Sequence, residues 1–230
     1  NLSQAIERSC DVFFYELGLK VGIEKIGSML KKLGLSANIN LELNELQKGL
    51  VPSKKWKLDV KGTRWTPGET INASIGQGYM LSNPIELVTM VARIANSELS
   101  VEPTLLLGKT TKFKKLDINK NHLNYIKNAM SNVVNSELGT AYKSRLKIKN
   151  IKMAGKTGTV QVVRISEDER EEGIIKNKDR EWKKRDHALF VGYAPLEKPK
   201  YSICVIVEHG GSGSTIAAPI AKDIMEKLLV

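Results

Sequence analysis

The sequence predicts an α+β domain in which helices come first, followed by an antiparallel sheet and a closing helix. Two observations lead to this prediction. Apolar residues recur at helical spacing through much of residues 1–150, whereas short runs rich in β-branched residues follow from residue 151. From Ile216 onward the apolar positions repeat every four residues again, as in a helix that packs one face on a sheet. All 230 residues are therefore expected to form one domain or most of one.

The helical part begins with residues 3–35, which predict two helices separated by Gly22. Residues 36–70 contain scattered prolines, glycines and lysines and predict a long ordered excursion with little regular structure. Its two tryptophans, Trp56 and Trp65, are expected to anchor this excursion on the core rather than to wall a substrate groove.

Two further helices are expected before the sheet. One runs from Pro84 to Asn96, with Asn83 as its cap and a proline at its first position. The other covers about residues 120–134.

Three strands are predicted at about residues 151–163, 188–194 and 201–207, and the last two are expected to form a hairpin. Charged residues dominate the connection over residues 164–186, which is expected to be a mobile, solvated link rather than a binding tail. After Gly213 the terminal helix is expected to carry one broad apolar face that the sheet covers. This face combines Ile216, Ile220, Ile224 and Leu228 with Ala217, Ala221, Met225 and Leu229.

Composition excludes some classes of function. The formal net charge of +11 would suit nucleic acid, an anionic membrane or an acidic polymer, and its simplest interpretation is a solvated lysine-rich surface. Because no zinc-finger spacing, RNA-binding aromatic pattern or single basic helix accompanies it, no nucleic-acid partner is predicted. Cys10 and Cys204 lie far apart and the histidines share no ligand spacing, so no metal and no cofactor are predicted. No apolar run approaches the ~20 residues that span a bilayer, so a membrane anchor is expected outside these residues.

The most informative stretch is the predicted strand that contains Gly155-Lys156-Thr157-Gly158-Thr159. Lys156 supplies a positive charge, Thr157 and Thr159 place two hydroxyl groups on one strand face, and Gly158 lets a ligand backbone approach the sheet. Such an edge is suited to hold a carboxylate. A phosphate-binding Walker loop is excluded because Asn150 stands where that loop needs glycine and because the following residues continue the strand.

A second candidate is Ser9-Cys10-Asp11, which is expected inside the first helical segment. A hydroxyl and a carboxylate two residues apart can hydrogen-bond a catalytic lysine and relay a proton, although the same pattern also caps helices. The tripeptide is informative because it precedes the predicted strand that contains Lys156.

Taken together, five ordered motifs resemble the class B penicillin-binding proteins, and most of all the elongation-specific type called penicillin-binding protein 2, whose second motif can carry aspartate as Asp11 does here. The motifs are Ser9-Cys10-Asp11 with Phe13-Phe14-Tyr15, Pro67-Gly68-Glu69-Thr70, Ser74-Ile75-Gly76-Gln77-Gly78-Tyr79, Gly139-Thr140-Ala141 and Gly155-Lys156-Thr157-Gly158-Thr159. The resemblance implies that residues 1–230 form the C-terminal part of one transpeptidase domain, with an antiparallel sheet flanked by helices and incomplete on its N-terminal side.

The resemblance also implies a peptidoglycan D,D-transpeptidase reaction, in which a serine attacks the D-Ala-D-Ala end of a stem peptide and forms an acyl-enzyme. Ser9 would relay protons and Asp11 would orient the motif lysine and the substrate amide. Lys156, the third catalytic residue beside Ser9 and Asp11, would bind the terminal carboxylate together with the substrate-binding residues Thr157, Gly158 and Thr159. The backbone N–H of Thr159 would contribute to an oxyanion hole.

In this family the reactive serine belongs to a Ser-x-x-Lys motif upstream of the Ser-x-Asn motif, so the nucleophile is expected outside this chain, and the chain alone is expected to be inactive. Ser28 and Ser144 also begin Ser-x-x-Lys matches, but such matches arise easily in a lysine-rich chain and neither is expected to be catalytic. Without an upstream segment, the strand over residues 201–207 is expected to have an unpaired edge and an uncovered apolar face.

The implied partners are peptidoglycan stem peptides, β-lactams as inhibitors, and cell-wall synthesis proteins of the membrane. The implied location is the outer, periplasmic side of the bacterial cytoplasmic membrane. Two alternatives stay open: a serine β-lactamase or β-lactam sensor domain, which shares the motifs, and a non-catalytic module that binds cell-wall peptide or a partner protein.

Overall fold

The computed structural model describes residues 1–39, 41, 46–106, 112–163, 169, 171, 173 and 175–230. The chain divides into two compact units, Asn1–Ala129 and Met130–Val230. The first unit is helical, and the second contains a three-stranded antiparallel sheet with a closing helix. This succession confirms the predicted α+β class.

Seven α-helices are described before the sheet. The predicted cap of the sixth is confirmed, because the Asn83 side chain accepts a hydrogen bond from the N–H of Glu86 at 2.8 Å and Pro84 is the first helical residue. The seventh helix matches the expected 120–134 within one residue. The helices are α1 (Leu2–Arg8), α2 (Asp11–Val21), α3 (Ile23–Lys32), α4 (Lys54–Lys61), α5 (Pro67–Ser74), α6 (Pro84–Asn96) and α7 (Lys120–Asn135).

The prediction of two helices over residues 3–35 is wrong, because the chain forms α1, α2 and α3 there. The additional break lies at Ser9, whose backbone is left-handed with φ 53° and ψ 57°. The N–H of Cys10 donates to the carbonyl of Ala5 at 2.9 Å and closes a Schellman turn. Glycine usually occupies the left-handed position of this turn, so the apolar spacing alone did not indicate a helix end here.

The prediction of little regular structure over residues 36–70 is also wrong for its second half, where α4 forms and α5 begins. Ser53 caps α4 by accepting the N–H of Trp56 at 3.1 Å, and Gly62 ends it with φ 67°. Both capping signals are visible in the sequence, but the scattered lysines and tryptophans obscured the helical period.

The sheet consists of β1 (Ala154–Val160), β2 (His187–Ala194) and β3 (Tyr201–Val207) in the order β1-β2-β3. Thr157 pairs with Phe190 between β1 and β2, and Val191 pairs with Cys204 between β2 and β3. The three predicted strands and the hairpin are confirmed. Within the described ranges β3 pairs with β2 only, which agrees with the expected unpaired edge, and Ile206 on β3 is 39% exposed.

A π-helical turn over Gly213–Ala217 leads into the closing helix α8 (Ala218–Leu229), which packs on β2 and β3. The expectation that the sheet covers one broad apolar face of this helix is wrong for half of that face. Ala221 and Met225 are fully buried, whereas Ile220 and Ile224 remain about 40% exposed among the described residues. The small alanine side chains allow close packing, and a sheet contacts only the row of residues that faces it.

The connection between β1 and β2 is structured in its described C-terminal part, contrary to the expected mobile link. Asn177 donates from Nδ2 to Oδ2 of Asp186 at 2.8 Å, and the N–H of Asp186 donates back to Oδ1 of Asn177 at 2.9 Å. These two bonds close residues 177–186 into a compact loop with two 3₁₀ turns. Residues 164–168, 170, 172 and 174 lie outside the described part of the chain.

Candidate active site

In the first unit, Ser9 and Asp11 lie at the junction of α1 and α2, and not inside a helix as predicted. Ser9 is the left-handed residue that ends α1, Cys10 is extended, and Asp11 is the first residue of α2. A left-handed backbone costs a residue other than glycine about 1–2 kcal/mol. Glycine would therefore be more stable than serine at this position. Asp11 is exposed, and its carboxylate lies in the first turn of α2, where a negative charge is favourable.

A close contact with α5 holds α2, the helix that Asp11 begins. A side-chain carbon added at Gly18 would lie 2.5 Å from Cβ of Ser74, so only glycine allows the two helices to approach this closely. Helix α5 and the turn that follows it carry the motif residues 67–79. The contact therefore links the Ser-Cys-Asp junction to the next motif within the same unit.

The start of α5 is held by a partly buried network. Thr66 and Glu69 form a capping box in which the N–H of Thr66 donates to Glu69 at 2.7 Å. Lys57 of α4 forms an ion pair with Glu69, and the side chains are 7% and 18% exposed. Burial acts to raise the pKa of the Glu69 carboxyl, but the hydrogen bonds from Lys57 and Thr66 outweigh it and hold the pKa below its ordinary value.

The two tryptophans contact the same tyrosine. The ring centroids of Trp56 and Trp65 lie 5.3 and 6.5 Å from that of Tyr79, and the indole N–H of Trp65 donates to the hydroxyl of Thr70 at 2.8 Å. This arrangement agrees with the expected anchoring of the excursion by the tryptophans. It also connects the motif at residues 67–70 to the one at residues 74–79.

In the second unit, Lys156, Thr157, Gly158 and Thr159 all lie on β1, an edge strand of the sheet within the described residues. By strand alternation the two threonines share one face, as predicted. The ammonium group of Lys156 donates to the backbone carbonyl of Thr157 at 2.8 Å, which holds the positive charge beside the strand.

One glycine of this strand and one that packs against it have packing reasons of their own. A side-chain carbon at Gly155 would collide with the ring of Phe190 on β2. The backbone carbonyl of Gly158 is approached so closely by Gly213 that a side chain at position 213 would collide with it. Internal packing thus requires glycine at positions 155 and 213.

A residue without a predicted role contacts this strand. The hydroxyl oxygens of Thr140 and Thr157 lie 2.8 Å apart and share a hydrogen bond. Thr140 belongs to the Gly139-Thr140-Ala141 motif, which the sequence indicated only by resemblance. No local pattern links positions 17 residues apart in sequence.

Neither internal Ser-x-x-Lys match has the surroundings of a nucleophile. Ser28 lies on the solvent side of α3. Ser144 is 1% exposed, and its hydroxyl has no hydrogen-bond partner among the described residues. The expectation that both are unrelated to catalysis agrees with these positions.

Two of the three histidines contact each other beside the sheet. The backbone N–H of His209 donates to Nδ1 of His187 at 2.9 Å, and the ring of His209 also lies 4.6 Å from that of Trp182.

Where the structure describes the chain, it contains no group of three His, Cys, Asp or Glu side chains suited to a metal ion. In the same residues, no helix has the length and apolar character needed to cross a membrane.

Comparison with known proteins gives a consistent result. Residues 1–226 match the family model described as penicillin binding protein transpeptidase domain. The peptidoglycan D,D-transpeptidase MrdA of Salmonella typhimurium strain SL1344 is 33% identical over 99% of this chain and 38% of its own length. The chain therefore spans less than two fifths of that relative.

Solved structures of penicillin-binding proteins are similar to this chain over its whole length. In the complex between the penicillin-binding protein PBP2 and MreC from Helicobacter pylori, a matching chain has a TM-score of 0.85 and 34% identity, covering 100% of this chain and 40% of that one. Pseudomonas aeruginosa PBP2 in complex with WCK 5153 has a TM-score of 0.81 and 32% identity, covering 100% of this chain and 47% of that one.

Proposed function

Because the chain belongs to the family of penicillin-binding protein transpeptidase domains, as its motifs predicted, we propose that it is part of a peptidoglycan D,D-transpeptidase of the penicillin-binding protein 2 type. In this reaction a serine hydroxyl attacks the peptide bond between the two terminal D-alanines of a stem peptide. D-Alanine leaves with a proton, and the amine of a neighbouring stem then takes the acyl group from the serine.

The observation that carries the proposal is the edge strand β1. It places a lysine ammonium group and two threonine hydroxyls on one short strand, and these groups suit the terminal carboxylate of a stem peptide or of a β-lactam. An edge strand also offers backbone N–H and C=O groups to an extended peptide. Lys156, Thr157, Gly158 and Thr159 are accordingly assigned to carboxylate binding, with the N–H of Thr159 in the oxyanion hole.

Ser9 and Asp11 are assigned to proton relay and to the orientation of the motif lysine and the substrate amide. The left-handed backbone of Ser9 supports this assignment, because strained backbone positions occupied by residues other than glycine concentrate at functional sites. The adjacent start of α2 then places the Asp11 carboxylate two residues away on a rigid element.

The reactive serine is assigned to a Ser-x-x-Lys motif upstream of these residues, and this chain alone is expected to form no acyl-enzyme. We place the whole protein at the periplasmic face of the cytoplasmic membrane, together with other proteins of cell-wall synthesis. The Helicobacter pylori relative, whose structure is described as a complex with MreC, supports such a partner.

Intact-protein mass spectrometry after incubation with benzylpenicillin tests the proposal on two proteins: this chain and the full-length protein. We expect one penicilloyl adduct on the full-length protein and none on the chain. An adduct on the chain would show that one of its own serines is the nucleophile. A full-length protein that stays unmodified would overturn the proposed function.

The same experiment separates the alternatives. Rapid conversion of penicillin to penicilloic acid without lasting adduct would indicate a serine β-lactamase. Non-covalent binding of a D-Ala-D-Ala peptide without any adduct would indicate a binding module. A stable adduct on a protein that also cross-links stem peptides supports the transpeptidase.

A further inference from the structure

Thr140 lies in a loop of the second unit that the end of α7 holds in place. The N–H of Ala141 donates to the carbonyl of Val133 at 2.9 Å, and Ala141 is only 1% exposed. A side-chain carbon at Gly139 would collide with the carbonyl oxygens of Asn132 and Val133. The residues on both sides of Thr140 are therefore packed against the last turn of α7, which leaves the Thr140 backbone little freedom to move.

From this loop the Thr140 side chain reaches β1. Its hydroxyl oxygen lies 2.8 Å from that of Thr157, and the pair is partly buried. Either hydroxyl can be the donor at this distance. Thr157 itself pairs with the fully buried Phe190 in the sheet, so both ends of the hydrogen bond are attached to well-packed backbone.

When a carboxylate binds, the single proton of each hydroxyl determines which of the two threonines donates to the other. A threonine hydroxyl has one proton, and a carboxylate accepts hydrogen bonds but cannot donate them. If Thr157 donates to Thr140, it has no proton left for the ligand. If Thr140 donates to Thr157, the Thr157 proton stays available, and the accepted hydrogen bond also polarises the Thr157 hydroxyl towards stronger donation.

We propose that Thr140 is a positioning residue that donates its hydroxyl proton to Thr157 and thereby directs the Thr157 proton to the carboxylate of the substrate or β-lactam. The inference rests on the proposed function, because it takes Thr157 to be a carboxylate-binding residue. Thr140 contacts Thr157 and not the ligand, and therefore acts through its neighbour.

The test uses the full-length protein and two β-lactam probes, benzylpenicillin and its methyl ester, which lacks the negative carboxylate. The second-order acylation rate constant is measured for wild type, Thr140→Val and Thr140→Ser. Valine keeps the shape of threonine without the hydroxyl, whereas serine keeps the hydroxyl. We expect Thr140→Val to lower acylation by benzylpenicillin about 3- to 10-fold, to leave the slower ester reaction unchanged, and Thr140→Ser to restore the rate.

A double-mutant comparison with Thr157→Val gives a second readout. In that background the Thr140→Val change should no longer affect benzylpenicillin, because its partner hydroxyl is already gone. Equal rate losses with both probes, or full additivity with Thr157→Val, would overturn the inference and indicate a structural role. Failure of the wild-type protein to be acylated by either probe would instead overturn the proposed function.

Discussion

The ammonium group of Lys57 and the carboxylate of Glu69 form an ion pair inside the first unit, where both side chains are largely removed from solvent. Lys57 also donates to the backbone carbonyl of Arg64 at 2.8 Å, and Glu69 also accepts from the hydroxyl of Thr66 at 3.0 Å. The pair thus joins α4, the segment after it and the first turn of α5. Charges in such a position depend on each other, because little water can reach them to replace a lost partner.

Replacing Lys57 with methionine is expected to destabilise the protein by about 1.5–3 kcal/mol, because the largely buried Glu69 carboxylate would keep its bonds from Thr66 but lose its charged partner. Lys55→Met on the same helix is the matched control. Lys55 pairs with Asp59 at 2.7 Å, but the side chains are 85% and 52% exposed, so its loss should leave the stability nearly unchanged. Urea denaturation measures both, and effects of equal size would contradict the partly buried network.

The same pair predicts a pH dependence. The pKa of Glu69 is lower in the folded protein than in the unfolded chain, because the hydrogen bonds from Lys57 and Thr66 outweigh burial, which acts to raise it. Its contribution to stability is therefore complete above the unfolded pKa of about 4.3 and is lost as the pH falls through the folded value. Lys57→Met removes this contribution, so its destabilisation relative to wild type should be largest above a pH of about 4.3 and should shrink as the pH falls. Thermal melting of wild type and Lys57→Met between pH of about 3 and 6 measures this difference. In a Glu69→Gln background, the effect of Lys57→Met on the melting temperature should no longer depend on pH over this range.

Ser9 offers a direct test of strain at the candidate site. At its φ of 53°, glycine should be more stable than alanine by about 1 kcal/mol, because alanine retains the side-chain clash of the left-handed backbone. Both substitutions remove the hydroxyl, so both should slow acylation by benzylpenicillin about 100-fold or more. Melting temperatures and acylation rates of the two variants separate stability from function. A glycine variant no more stable than the alanine variant would exclude the strained turn.

The two cysteines should react at very different rates. Burial raises the pKa of the Cys204 thiol to about 11, so at a pH of about 8 only about one molecule in a thousand carries the reactive thiolate. Cys10 is exposed at the α1–α2 junction. Iodoacetamide should therefore label Cys10 first, and peptide mapping by mass spectrometry shows the order. Labelling of the half-buried Cys204 should be slow in the native protein, and labelling as fast as at Cys10 would contradict the packing of β3.

Removal of the positive charge on β1 should weaken carboxylate recognition. Lys156→Met is expected to lower acylation of the full-length protein by benzylpenicillin about 10- to 100-fold, because charge-assisted hydrogen bonds of this kind contribute about 1.5–3 kcal/mol. Lys152→Met, at an exposed lysine just before the same strand, is the control and should leave the rate unchanged. Equal rates for both variants would remove Lys156 from the proposed site.

Where prediction from sequence failed, the missing information was conformational. The helix break at Ser9 depends on a left-handed serine, and the apolar spacing of residues 3–35 continues through it without a glycine. The start of α4 was signalled by Ser53 and its end by Gly62, but a short helix rich in lysine has too weak an apolar period to be recognised.

Local pattern was sufficient for the α+β class, for the three strands and for the lysine strand, because backbone alternation and helical period are properties of a few neighbouring residues. Local pattern could not predict which elements each helix or strand face contacts. The contact of Thr140 with Thr157, the ion pair of Lys57 with Glu69, and the burial of Met225 but not Ile224 all depend on which elements approach each other in the folded chain. Periodicity predicts that a face is apolar or that a hydroxyl lies on one side of a strand. What that face or hydroxyl contacts depends on which residues lie near it in the folded molecule.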